Sequence, residues 1–199
     1  NFYDFFNFIE KVSPINKPDI FRNENDVKAY WINVYNALIL KIMIENPNKN
    51  ILDISFIGQT IFLTKFRVGE QMISPYYVEN NILREMKDPR IHFAINCASK
   101  SCPPLGNRIL EGEILEKQLE EKTINFINDT LHVNIDKVNK IIYLNKIFKW
   151  YKKDFIEEYK SLNAYIYNYI DLTKFNLNKE DFLKYKINFI EYDWTRNEQ

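Results

Sequence analysis

The chain has 199 residues, 46% of them hydrophobic and 16% aromatic, which is enough to bury a sizeable core in a single domain. Its 27 basic and 27 acidic residues cancel to a formal charge of zero, and that balance argues against a dedicated nucleic-acid surface, which needs a basic excess. With 4 glycines there is no glycine-rich phosphate loop, and no run approaches the roughly 18 apolar residues of a membrane span, so neither a nucleotide cradle nor a transmembrane segment is expected.

In chain order, FYDFFNFIEKV at 2–12 carries apolar residues at helical spacing and reads as a first helix. A loop rich in Asn and Pro follows. A second helix is expected to start at Asn25 or Asp26, both good N-caps, and to run to about Asn46, just before Pro47. Its middle, AYWINVYNALIL, is apolar on nearly every side and predicts a buried central helix. Ile61–Val68 and Gln71–Ile73 flank Gly69-Glu70 as a hairpin. Ser74-Pro75 reads as N-cap and first helical position of a helix reaching about Met86, closed by Asp88-Pro89. Ile91–Cys97 is read as a strand, because Ile91, Phe93 and Ile95 alternate with His92, Ala94 and Asn96.

A loop with two consecutive prolines spans Ser99–Arg108, and an amphipathic helix is expected over Glu113–Asn128. His132–Ile135 and Lys140–Leu144 form a second predicted hairpin. KIFKWYKKDF, YKSLNAYIYNYI, a short NKEDFLKY helix and a final strand, INFIEYDW, complete the chain. Helices mixed with scattered strands favour α+β over alternating α/β, with the buried helix packed on a small mixed or antiparallel sheet. No repeat or linker divides residues 1–199, so one domain is expected.

Chemistry concentrates between Arg90 and Pro104, RIHFAINCASKSCPP, which holds one of the two histidines and both cysteines. That block, with its upstream VENNILREMKDP, resembles the domain of unknown function 547, a family of bacteria and plants. AYWINVYNALIL at 29–40, LEKQLEEKTINFIND at 115–129, KIFKWYKKDF at 146–155 and YDW at 192–194 carry the rest of the resemblance, which runs from about Phe21 to Trp194. Its motif positions correspond here to Asn33, Asn36, Glu79, Arg84, His92, Cys97 and Ser101. The resemblance implies thiol chemistry or protein interaction, and it favours Cys97 over Cys102 as the working residue. Family members often have Glu-His where this chain has Glu79-Asn80, so a mechanism that uses that second histidine does not operate here. Bacterial members often carry secretion signals. A chain beginning at Asn1 without Met leaves room for a removed leader, in which case the periplasm or exterior is the favoured compartment.

A cysteine turns nucleophilic when a nearby cation or base favours its thiolate. On a straight strand His92 and Cys97 would point to opposite faces, about 16 Å apart at ~3.3 Å per residue, so they meet only if the chain bends after Asn96. Cys102 is the second thiol candidate, with Lys100 nearby to lower its pKa. Against both stand a Cys97–Cys102 disulfide, which four intervening residues allow, and a buried, inert Cys97. A zinc set of His92, Cys97, Cys102 and His132 matches no standard spacing, so neither metal nor cofactor is expected. Asn33 and Asn36 share a helix face and either tie the helix to neighbouring backbone or line a substrate site. Glu79 either orients His92 or pairs with Arg84 or Arg90. A helix bearing polar groups, followed by a strand carrying His, is similar to the papain and transglutaminase folds.

The expected site therefore comprises Cys97 as nucleophile, His92 as proton shuttle and Glu79 as its orienting partner. Asn33, Asn36, Ser101 and Cys102 line the substrate side. The expected reaction is thiol-dependent hydrolysis or acyl transfer on a peptide-like or glutathione-like molecule. Two alternatives remain open: an interaction module using WYKKDF and YIYNYI, and a redox-sensing module using Cys97 and Cys102 as a switch.

Overall fold

Asn23 starts the central helix. In the computed structural model, which describes residues 2–54 and 60–197, Asn23 is extended and its side chain accepts the Asp26 amide hydrogen, so the cap lies ahead of both expected positions, Asn25 and Asp26. Asp26 sits instead in the first turn, where its carboxylate takes Arg22 Nε at 2.8 Å. The chain divides into two compact units, Asn1–Gln118 with Trp194–Gln199, and Leu119–Asp193.

The first unit contains α1 (Phe2–Lys11) and α2 (Glu24–Glu45). Helix α2 buries most of its apolar residues, from Ala29, Tyr30 and Trp31 to Ile42 and Met43, as its apolar character on nearly every side predicts, with Leu40 and Ile44 left exposed. After α3 (Thr60–Leu63), the expected hairpin is made by β1 (Phe66–Val68) and β2 (Gln71–Ile73), so its first strand is shorter than the sequence suggested. Gly69 and Glu70 have φ of 54° and 65°, the left-handed pair that a tight hairpin turn needs. Their amides donate to Ile9 O at 2.7 Å and Glu10 O at 2.9 Å, docking the turn on the last carbonyls of α1. A Cβ on Gly69 would stand 1.9 Å from Ser13 Oγ, so only glycine fits.

Ser74 caps α4 (Pro75–Tyr77) through the Tyr77 amide, as expected. The helix then widens into a π-helical turn over Val78–Leu83, tightens into a 3-10 turn over Arg84–Met86, and ends at Lys87 with φ 56°. Such wide turns are rare and tend to occur at functional sites. Asp88 and Pro89 do not merely stop this helix. Asp88 accepts the Arg90 amide and Pro89 opens a 3-10 turn over Pro89–Phe93. The strand expected at Ile91–Cys97 is therefore absent, and with it the histidine-bearing strand on which the papain and transglutaminase analogy rested. The period-2 pattern misled because Ile91 through Asn96 are all buried, so no face of the segment meets water. A 3-10 turn at Gly112–Ile114 leads into α5 (Leu115–Ile127). Within this unit α2 packs against α4, the π-helical turn and the Gly112–Ile114 turn.

In the second unit, β3 (Val133–Asp136) and β4 (Ile141–Leu144) pair antiparallel as expected. Helices α6 (Ile147–Trp150), α7 (Lys152–Tyr159), α8 (Leu162–Tyr167) and α9 (Lys179–Leu183) follow. Strand β5 (Lys186–Phe189) returns parallel to β4, giving a mixed sheet in the order β3-β4-β5. Phe148, Phe155, Tyr165 and Phe182 are fully buried and belong to the core, whereas Trp150 is exposed and Tyr151, Tyr167 and Tyr169 are half-buried. Helices hold 53% of the chain and the small sheets 11%, which makes the class α+β. Among the described residues no helix is long and apolar enough to cross a membrane.

Candidate functional site

The segment bearing the predicted site residues is anchored at its start by a buried ion cluster. Asp88 Oδ2 receives Lys28 Nζ from α2 at 2.8 Å, and both carboxylate oxygens receive Arg90 at 2.9 Å. Arg90 also reaches Glu116 at 2.7 Å. Burial pushes the Asp88 carboxyl up, but the hydrogen bonds from Arg90 and Lys28 outweigh it and hold the group below the ordinary carboxylate range. His92 lies within the 3-10 turn, 2% exposed.

Helix α2 then takes hold of the backbone. Asn36 Nδ2 donates to Ala94 O and its Oδ1 accepts the Asn96 amide, both at 2.9 Å. One turn earlier Asn33 does the same to Leu110, donating to its carbonyl at 2.8 Å and accepting its amide at 3.0 Å. The shared face that the sequence reading noticed is thus a two-pronged clamp: both amides are spent on main chain. Asn96 continues the pattern, donating to Pro103 O and accepting the Ala98 amide, each at 2.6 Å. That tight Asx turn holds Ala98 at φ 63°, a left-handed conformation unusual for alanine.

The turn brings the two cysteines together. Cys97 and Cys102 form a disulfide with Cα atoms 6.1 Å apart. The Cys97 amide donates to Cys102 Sγ at 2.9 Å, and the Ser99 hydroxyl lies 3.1 Å from Cys97 Sγ. Cys97 is half-buried, whereas Cys102 is 6% exposed. Ser101 sits half-buried in the same loop.

The C-terminal stretch, which the sequence reading left aside, completes the site. Lys100 N–H donates to Thr195 O and Asn197 N–H to Ala98 O, both at 2.9 Å, pairing Ser99 with Arg196 in an antiparallel bridge. Arg196 donates from Nη1 to Asn46 O at 3.0 Å and from Nη2 to Met43 O at 3.4 Å, so it takes the carbonyl of the residue that caps α2 and shares the Met43 carbonyl with the Asn46 amide. Between these elements lies a hollow of about 440 Å³. Leu40, Met43, Ile44 and Pro47 line it from α2 and the residues just after it, and Asn96, Ala98, Arg196 and Asn197 line it from the loop and the C-terminal stretch. No local signal marks Arg196, whose partners lie 150 and 153 positions away in sequence.

Not every predicted residue joins this loop. Glu79 sits in the π-helical turn, 6% exposed, and its Oε1 is buried with no hydrogen-bond partner among the described residues. The orienting bond from that oxygen to His92 is not made, and neither is an ion pair to Arg84 or Arg90 through it. Asn80 bridges along its own helix, donating to Tyr76 O at 3.1 Å and accepting Arg84 Nη1 at 2.7 Å. His132 belongs to the second unit, stacked on Phe126 with centroids 4.0 Å apart. Among the described residues no three His, Cys, Asp or Glu side chains gather as a metal site. The family model described as "Protein of unknown function, DUF547" matches residues 21–127. No curated protein and no solved structure matches the chain.

Proposed function

Because the chain belongs to the DUF547 family, whose description assigns no activity, we propose its function from the loop chemistry: it is a redox-sensing module whose Cys97–Cys102 disulfide exchanges with an external thiol. A small-molecule or protein thiolate attacks Sγ of Cys97, the less buried of the two residues. A mixed disulfide forms between the incoming sulfur and Cys97, the Cys97–Cys102 bond breaks, and the electron pair leaves on Cys102 Sγ as a thiolate. A second thiolate then displaces Cys97, so two electrons pass to the protein and the external thiol ends as its own disulfide. The observation that carries the reading is the Cys97 amide aimed at Cys102 Sγ at 2.9 Å. In the disulfide this is a weak contact. Once Cys102 becomes the leaving thiolate it is a charge-assisted hydrogen bond, which lowers the barrier to opening.

Opening also removes the cross-link that closes the turn. Ala98 is then held at positive φ by Asn96 and by the bridge to residues 195–197 without the cross-link, so loop shape and hollow shape become functions of the thiol state. Hydrolysis or acyl transfer by Cys97, with His92 and Glu79, would first require this reduction, since the oxidised loop carries no thiol.

The test is equilibration in glutathione buffers of graded ratio, read by the mass gain of two hydrogens and by alkylation of each cysteine. The reading expects reversible opening within the glutathione range and a Cys102 thiol that titrates below the usual ~8.5. A disulfide that stays closed at potentials down to about −300 mV is a structural staple and overturns it. Rapid alkylation of Cys97 abolished by His92→Ala would instead favour the hydrolytic reading.

A further inference from the structure

We infer that the hollow beside the loop is a binding site for an apolar carboxylate, its charged end on Arg196 and its aliphatic body over α2. A guanidinium carries five N–H donors in a rigid fork. Arg196 gives one to Asn46 O and one to Met43 O, which fixes the plane of the group and leaves three hydrogens for another acceptor. Elsewhere in the same unit Arg22 and Arg90 each meet two carboxylates. Among the described residues Arg196 meets none. It is a partly buried cation in the lining of a cavity, held by neutral carbonyls and without a carboxylate among the described residues.

The apolar part of the lining explains the body of the ligand. Leu40 and Ile44 are one helical turn apart on α2 and are 36% and 57% exposed, on a helix whose other apolar residues are largely buried. They border the hollow with Met43 and Pro47. An exposed apolar stripe beside an unneutralised guanidinium matches an amphipathic anion, apolar at one end and charged at the other. A volume of about 440 Å³ suits a small molecule or the last residues of a peptide, since such sites hold roughly 300–1,000 Å³. Among the described residues the lining contains a single cation and no lysine, so a monoanionic carboxylate, which takes a bidentate guanidinium, fits better than a phosphate. The inference goes beyond the redox reading and does not need it, because binding is measured with the disulfide closed.

The experiment titrates the oxidised full chain with sodium octanoate, octan-1-ol and octylamine, following amide resonances by NMR. Saturable shifts at residues 40–48, 96–98 and 196–197 are expected with octanoate, at least tenfold weaker binding with octanol, and none with octylamine. Arg196→Gln is expected to weaken octanoate roughly tenfold or more. Because that change also removes bonds to the end of α2, Ile44→Glu serves as the second variant. It lies at an exposed position, should leave melting unchanged, and should abolish octanoate binding by charge repulsion. Acetyl-leucyl-leucine binding more tightly than octanoate, and losing that advantage when amidated, assigns the carboxylate to a peptide end; the reverse assigns it to a free aliphatic acid. Equal binding of octanoate and octanol, shifts confined to other residues, or no saturable response at millimolar concentration overturns the proposal.

Discussion

Replacing Asp88 with Asn is expected to be among the most damaging isosteric changes in the first unit. The carboxylate is 9% exposed and neutralises two cations that are themselves sheltered, Lys28 at 12% and Arg90 at 19%. In Asp88→Asn the amide can keep the cap to the Arg90 amide, but one side-chain donor now faces the Lys28 or Arg90 donors. Removing one member of a buried ion cluster and leaving the others uncompensated costs about 3–5 kcal/mol. Glu116 softens the loss at Arg90 only slightly, since Glu116 is mostly exposed. For a chain of this size the change corresponds to a fall in Tm of roughly 6–20 °C. Urea unfolding followed by tryptophan fluorescence measures it, with Arg22→Gln as the surface control, expected to cost at most about 1 kcal/mol. Lys28→Met added to Asp88→Asn should recover part of the loss, because one stranded charge is gone. The pH dependence has a definite sign. The folded Asp88 pKa lies below its unfolded value near ~3.9, so its contribution is complete above that pH and disappears as the pH falls through the lower folded value. A loss from Asp88→Asn no larger than that of Arg22→Gln would refute the claim that this cluster anchors the turn.

Two other outcomes follow from the same geometry. Asn36→Ala strands the Ala94 carbonyl and the Asn96 amide and should cost about 2–4 kcal/mol in urea unfolding, with faster amide exchange across residues 94–98; unchanged exchange there would remove the clamp from the account. His132 is held below the ordinary imidazole pKa, chiefly by burial against Phe126, with Asp129 pulling weakly the other way. Since the unfolded chain takes up this proton near pH ~6.5 and the folded chain only at lower pH, stability of the second unit should decline as pH falls below that value, and a neutral replacement such as His132→Gln should flatten the slope.

Some elements were legible in the residues because a single physical reading covers them. A helix apolar on nearly every side is driven to burial, and α2 meets that except at Leu40 and Ile44. Gly69-Glu70 and Ser74-Pro75 carry turn and cap chemistry that operates within four residues. Asp88-Pro89 carries the same cap-plus-proline chemistry as Ser74-Pro75, but the alternation downstream of it points to a strand and hides the 3-10 turn that it opens. Alternation predicts a strand only when one face is wet, and burial on every side is a property of the packed unit rather than of the segment. The Asn33 and Asn36 pair was visible as a shared face, but whether those amides hold backbone or substrate depends on which carbonyls arrive opposite them.

Local chemistry, then, was enough to determine the α+β class, the buried helix, both hairpins and the concentration of reactive residues in one loop. Tertiary structure alone decided that the two sulfurs are bonded, that Glu79 and His92 are not joined through the buried carboxylate oxygen, and that an arginine from the far end of the chain closes a cavity over α2. The reason is range. Caps, turns and periodicity act over a few residues, whereas a guanidinium meeting carbonyls 150 positions away is set by the packing of the whole unit and leaves no trace in the residues around it.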